Sequence, residues 1–287
     1  MASRAGLFLL PLAFLPHRRP ISLPALRHSP PSLHLGRRSS SHLLMEKEAA
    51  TATATATEAA RRRITHVIFD MDGLLLDSEP FYTLVQEKVL ERFNKTFDWS
   101  LKAKLMGKKA IESARIFVEE CGLTGVLTPE EFLEEREGLL QELFPSCQLL
   151  PGVDRLISHL HVNQIPMCVA TGSYKQTFDL KTQRHGEIFS MMHHIVMGDD
   201  PDVKHGKPSP DIFQVAANRF ERNVDPADIL VFEDAPAGVA AAKSAGMWVV
   251  MVPDERLDAS HHKEADQILT SLLDFSPSLW GLPPFTK

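Results

Sequence analysis

Four places in the chain set charged or hydroxyl side chains at the end of an apolar run. In the first, Val67-Ile68-Phe69 stops at Asp70-x-Asp72-Gly73. The run is too short for a helix and is β-branched and aromatic, which predicts a buried strand. Two carboxylates so close repel each other. A divalent cation, or a proton-donor role for one of them, would give them a reason to be together, whereas two solvated turn aspartates need none. In the second, Ile165 to Ala170 ends at Thr171-Gly172-Ser173, with two hydroxyls and main-chain amides ahead of a helix. That is a phosphate seat or a plain helix cap. The third is Gly206-Lys207-Pro208-Ser209-Pro210-Asp211, a rigid loop entering a helix. Its lysine could pair with Asp70 and neutralise phosphate charge in a transition state, or could simply lie on the surface. In the fourth, Asp228 to Phe232 ends in Glu233-Asp234, oxygen ligands suited to Mg²⁺.

The elements that must position these groups follow from periodicity. From Pro151 onward, helix and strand alternate. Helices are expected over Val153–Leu160, through Phe178 and Leu180, over Pro208–Phe220 and over Ala237–Ala245. Strands are expected at Ile165–Ala170, His194–Met197, Asp228–Phe232 and, last, Met247–Val252. This is a doubly wound, parallel α/β layout, which binds ligands at the carboxyl edge of its sheet. Between the first strand and this region run four helical patterns with no strand among them. The first opens at Ser78-Glu79-Pro80, read as a capping serine with proline in the first turn. Three more follow over Trp99–Met106, Ala110–Cys121 and Glu130–Phe144, the last behind the capping box Thr128-Pro129-Glu130-Glu131. Four helices in a row predict a separate helical cap inserted after the first strand.

Composition limits the rest. Of 287 residues, 44% are hydrophobic, enough for a substantial core, and no stretch reaches the length of a membrane span. Cys121, Cys147 and Cys168 form neither a zinc pattern nor a disulfide framework. Residues 1–45 hold six arginines and no Lys, Asp or Glu, whereas the remainder sets 25 basic residues against 37 acidic ones, a net of −12. So acidic a body is a poor nucleic-acid binder. The arginine-rich, acid-free start predicts an organelle transit peptide, mitochondrial or chloroplast; without it the chain would stay in the cytoplasm. The expected organisation is a transit peptide over 1–45, a low-complexity linker over 46–60, a core from 61–79 and 150–275, a helical cap over 80–149 and a C-terminal tail over 276–287. The expected partner is a small phosphomonoester substrate, with no membrane and no nucleic acid, and the expected state a monomer.

Taken together and in this order, Asp70-x-Asp72-Gly73, Thr171, Lys207 and Glu233-Asp234 resemble the four motifs of the haloacid dehalogenase-like hydrolase superfamily. The resemblance covers about residues 64–260. It implies a Rossmann-like core with an inserted cap, Asp70 as a nucleophile that forms an aspartyl-phosphate, and Asp72 as general acid and then base. It also implies a phosphoryl group held by Thr171, with Gly172 and Ser173 beside it, and by Lys207. Mg²⁺ would then lie on the Asp70 carboxylate, the Asp72 carbonyl and Asp234, with Glu233 direct or through water.

Departures within the superfamily narrow this. Its dehalogenases lack the second aspartate, and its transport ATPases carry threonine there. Its sugar phosphomutases keep both aspartates but usually show histidine about where Tyr82 stands, which leaves a sugar phosphatase or mutase as a weaker alternative. Gly107-Lys-Lys-Ala-Ile-Glu112, Gly198-Asp-Asp-Pro201, Phe232-Glu-Asp-Ala-Pro-Ala-Gly238 and Gly246-Met-x-Val-Val-Met-Val-Pro253 look like the subgroup of plant glycerol-3-phosphatases and animal pseudouridine monophosphatases. Leu272 to Phe275 and Gly281 to Pro283 agree with it. The presequence suits the plant branch, so glycerol-3-phosphate leads and pseudouridine 5′-phosphate is the alternative. Lys108 and Lys109 stand at a tip of the cap, where at least one is expected over the leaving group, the other reading being two solvated surface lysines. A silent binding protein of this fold would usually have lost a catalytic residue, and none is missing.

Overall fold

The computed structural model describes residues 63–221 and 223–286. The transit peptide and linker expected over 1–60 lie outside the described residues. Six parallel strands form one sheet in the order β3-β2-β1-β4-β5-β6: β1 (His66–Phe69), β2 (Met167–Ala170), β3 (Ile195–Val196), β4 (Ile229–Glu233), β5 (Trp248–Met251) and β6 (Gln267–Ile268). The chain runs outward from β1 to β3 and then returns to the other side of β1 to begin β4. That reversal is the switch point at which open α/β sheets hold ligands. Because Ile68 lies in register with both Cys168 and Val231, β1, β2 and β4 end level with one another. β6 extends the sheet beyond the expected last strand. At two residues, it is too short to show a period.

Side chains alternate across the sheet. Val67, Phe69, Leu230 and Phe232 face one core with α5 (Val153–Val162) and with Phe178 of α6 (Lys175–Thr182); Ile68, Cys168, Ile229 and Val231 face the other with α8 (Asp211–Asn218) and α9 (Pro236–Ser244). A five-residue α7 (Gly186–Ser190), not expected from the sequence, adds Ile188 and Phe189 to the first core. Residues 276–286, set apart as a tail on sequence, also pack there. Trp280 and Leu282 are buried, the Ile64 N–H donates to Trp280 O at 3.2 Å, and Phe285 lies under Arg155. Pro and Gly hid this stretch from a periodicity argument, because its one element is a four-residue 3₁₀ helix, Pro277–Trp280, too short to show a period.

The cap comprises α1 (Glu79–Glu91), α2 (Trp99–Leu105), α3 (Ala110–Glu120) and α4 (Pro129–Leu143), within two residues of expectation at each end. It has a core of its own, centred on Phe117 stacked at 4.0 Å on Phe132. The capping box is present: Glu131 N–H donates to Thr128 Oγ1 at 3.1 Å, and Thr128 N–H donates to Glu131 Oε2 at 2.8 Å. The capping role expected of Ser78 is not observed. Its residue precedes α1, but its hydroxyl makes no cap and instead donates to Asp72 Oδ1 at 2.6 Å. Its backbone, at φ −95° and ψ −19°, is helical rather than extended, so the side chain is not aimed at the first amides of the helix. The two connections between cap and core run side by side, with Asp77 N–H on Gln148 O at 2.9 Å and Leu150 N–H on Leu75 O at 3.0 Å.

Candidate active site

The ends of β2, β1 and β4 bring Thr171, Asp70, Glu233 and Asp234 together, all buried. Lys207 reaches in from the loop ahead of α8. Its ammonium donates to Asp70 Oδ1, to Glu233 Oε1 at 2.6 Å and to Ala170 O at 3.2 Å. Burial pushes the Asp70 carboxyl up to about 7, reinforced by Glu233 and Asp72 and opposed by Lys207. Burial alone would lower the Lys207 ammonium, but Asp70 and Glu233 outweigh it and hold the lysine charged. Asp70 Oδ2 accepts no hydrogen bond among the described residues, which leaves one oxygen of a fixed carboxylate free to face a ligand.

Asp72 is turned to the other side of the site. It accepts from Ser78, from Ser173 Oγ at 2.7 Å, from Thr171 Oγ1 at 3.4 Å and from the ammonium of Lys181. Burial would raise its carboxyl, but the Lys181 charge and these hydrogen bonds outweigh burial and hold it below the usual range. Lys181, fully buried on α6, also donates to Tyr82 OH at 2.8 Å and Ser173 Oγ at 2.9 Å. Sequence reasoning missed this lysine. It follows the apolar pair Phe178 and Leu180 in a mixed helix, where a lysine reads as solvated.

One oxygen from each of Asp70, Glu233 and Asp234 lies within 4.8 Å of the others. The three differ in what they already hold. Glu233 is occupied by Lys207 and by the N–H groups of Asp234 and Ala235, both at 3.1 Å. Asp234 accepts no hydrogen bond among the described residues, and burial with the charges of Glu233, Asp70 and Glu79 raises its carboxyl well above the usual range. Gly73, at φ 78°, makes room for it: a Cβ there would stand 2.3 Å from Asp234 Oδ2. A buried carboxylate without a partner, beside two others, is a donor set that fits a hard divalent cation.

The cap closes over this edge through its loop 107–109. Gly107, at φ 72°, lies so close to the β4 loop that a Cβ would meet that of Ala235 at 3.0 Å, and the Lys108 carbonyl lies against Gly172. The two expected cap lysines part here. Lys108 lines the cavity between cap and core, with Glu112 at 3.7 Å. Lys109 lies over Gly206 and donates to Val203 O at 2.9 Å, which ties the cap to the core. The cavity encloses about 90 Å³. Asp70, Asp72, Gly172 and Ser173 line it from the core, and Gln86, Ser113 and Arg136 from the cap. Among the described residues no helix is long and apolar enough to cross a membrane.

Comparison with known proteins agrees with this geometry. A family profile described as haloacid dehalogenase-like hydrolase matches residues 64–246. The (DL)-glycerol-3-phosphatase 1, mitochondrial, of Arabidopsis thaliana is 64% identical over 238 residues, covering 83% of this chain and 80% of that protein. A probable pseudouridine-5′-phosphatase of Drosophila melanogaster is 47% identical over 226 residues, 78% of this chain and 97% of that one. The crystal structure of CbbY from Rhodobacter sphaeroides in complex with phosphate shares the fold, with a TM-score of 0.61 at 21% identity over 74% of this chain and 96% of that one. With a profile that spans core and cap alike and relatives this similar over most of their own length, the chain belongs to the haloacid dehalogenase-like hydrolase family.

Proposed function

We propose that the chain is a Mg²⁺-dependent phosphatase that hydrolyses glycerol-3-phosphate through an aspartyl-phosphate on Asp70. One observation carries this reading furthest: a half-free, buried carboxylate, fixed by Lys207, forms the floor of the cavity between cap and core. The higher identity to a glycerol-3-phosphatase, 64%, than to a probable pseudouridine-5′-phosphatase, 47%, favours glycerol-3-phosphate over pseudouridine 5′-phosphate.

Asp70 Oδ2 attacks phosphorus while Lys207 holds Oδ1 and offsets charge on the transferring group. Thr171, with the amides of Gly172 and Ser173, seats the phosphoryl oxygens. Asp72 gives a proton to the leaving alcohol and later takes one from the attacking water, which releases inorganic phosphate and restores Asp70. The Lys181 contact keeps Asp72 ionised in the free protein, and an arriving phosphate dianion adds like charge and raises its carboxyl toward the protonated form. Asp70, Asp234 and the Asp72 carbonyl would hold Mg²⁺, with Glu233 acting through water because Lys207 already occupies it. Bound there, the ion would polarise the phosphoryl oxygens and screen the carboxylates. Lys108 faces the leaving group from the cap, and Lys109 serves closure.

A panel of small phosphomonoesters, run with Mg²⁺ and again with EDTA, tests this reading. Glycerol-3-phosphate should give the highest kcat/KM and pseudouridine 5′-phosphate a lower one. Chelation should abolish turnover, and Ca²⁺ should inhibit because its looser coordination spoils in-line geometry. Full activity in EDTA, or a preference for the nucleotide, would overturn the corresponding part.

We also infer delivery to an organelle by residues 1–60, which the name of the Arabidopsis relative favours as the mitochondrion. A reporter fused behind these residues should leave the cytosol, and a cytosolic reporter would overturn the inference.

A further inference from the structure

The roof of the cavity holds a cation without a counter-ion. Arg136, on α4, is 6% exposed, and its side chain makes no hydrogen bond and no ion pair among the described residues. It lies over the rings of Tyr82 and Phe132, each 5.7 Å away, and Glu137 acts on it only through space, without an ion pair. The other buried lysines and arginines of the site are paired: Lys102 with Glu79, Lys181 with Asp72, Lys207 with Asp70 and Glu233. A buried guanidinium left alone is costly, and proteins seldom keep one that nothing uses. Two more buried polar side chains share its position. Gln86 on α1 and Ser113 on α3 both line the cavity, and neither side chain has a hydrogen bond among the described residues.

The chemistry of the three selects their ligand. The guanidinium offers only donors, the amide one acceptor and two donors, the hydroxyl one of each kind. A carboxylate or second phosphate could accept from all three, but Glu79 and Glu137 line the same cavity and disfavour a further negative charge there. One hydroxyl serves two of the three, accepting from Arg136 and donating to Gln86 or Ser113. Two adjacent hydroxyls would use the whole set. We propose that Arg136, Gln86 and Ser113 form the subsite that binds the vicinal hydroxyls of the leaving alcohol, and so select polyol phosphates over plain alkyl or aryl phosphates. This rests on the phosphatase reading of the same cavity.

The test compares glycerol-3-phosphate with propyl phosphate, which has the same carbon chain without the hydroxyls, and with an aryl phosphate. In the full chain, Arg136→Gln should lower kcat/KM for glycerol-3-phosphate by about 10- to 100-fold, the scale of a lost charge-assisted hydrogen bond, and leave propyl phosphate within about twofold. Gln86→Leu and Ser113→Ala should show the same selectivity at smaller amplitude, and they report on the subsite even where Arg136→Gln fails to fold. Equal losses on all three esters, or no loss on any, would each overturn the proposal. Should the unaltered enzyme fail to favour glycerol-3-phosphate over other polyol phosphates, the substrate assignment falls, while the contrast between hydroxylated and plain esters still decides the role of Arg136.

Discussion

Asp70→Asn should lower kcat/KM for every phosphomonoester by at least ~10³-fold while leaving the protein folded. The substitution is nearly isosteric. The amide oxygen can still accept from Lys207, and the main chain still donates from Asp70 N to Phe232 O at 3.0 Å. What goes is the charge on the attacking oxygen, and with it the covalent step. Stability should hold in metal-free buffer, because burial and the neighbouring carboxylates already disfavour the charged form of Asp70, as its rise to about 7 records. Two measurements check this: steady-state rates at saturating Mg²⁺, and mass spectrometry of acid-quenched enzyme, which should carry a phosphoryl adduct in the parent and none in the variant. An Asp70→Asn protein that still acquired the adduct would place the nucleophile elsewhere.

Much of the site was legible because its residues sit where a strand stops. A short β-branched run followed by a carboxylate, a hydroxyl or a second acidic pair fixes both the end of an element and the chemistry at that end. Parallel order then requires the ends to share one edge. Lys207 was legible only through its rigid Gly-Lys-Pro-Ser-Pro loop, and as one option of two. The partners that tune these residues were not legible. Lys181 and Arg136 lie in helices whose local sequence treats lysine and arginine as solvent-facing, and tertiary packing buries them, Lys181 over Tyr82 and Phe144 and Arg136 over Tyr82 and Phe132. Ser78 followed the rule for a helix cap, and the nearby Asp72 took its hydroxyl instead. Lys108 and Lys109 are adjacent in a loop tip and equivalent in any pattern, yet a φ of 72° at Gly107 sends the chain across Gly172 and splits them between cavity and core. The stretch 276–286 lacks a period, and its burial depends on Trp280 and Leu282 reaching a face that forms only when the sheet does.

Replacing Lys207 should cost the most stability of any single change at the site. In Lys207→Met the ammonium that now bridges Asp70 and Glu233 is gone, and both carboxyl groups stay buried and face each other. Breaking a buried pair by removing one partner costs about 3–5 kcal/mol, far more than an exposed ion pair. Methionine is long and apolar enough to occupy the same channel beside Phe213, so the loss reports on charge more than on a cavity. The pH dependence follows from the direction of the Asp70 shift. With the lysine present, burial already raises this carboxyl above its unfolded value, and without the lysine it rises further. An acid whose folded pKa lies above its unfolded one binds more protons in the native state, so its destabilising effect is small at low pH and grows as pH rises through that window. The deficit of Lys207→Met, read by urea denaturation in EDTA, should therefore be larger at pH 8 than at pH 5. Activity should fall by about 10²–10³-fold as well, since the same ammonium offsets charge on the transferring phosphoryl group. A deficit independent of pH would mean that Lys207 acts by packing alone, and an unchanged rate would remove it from the chemistry.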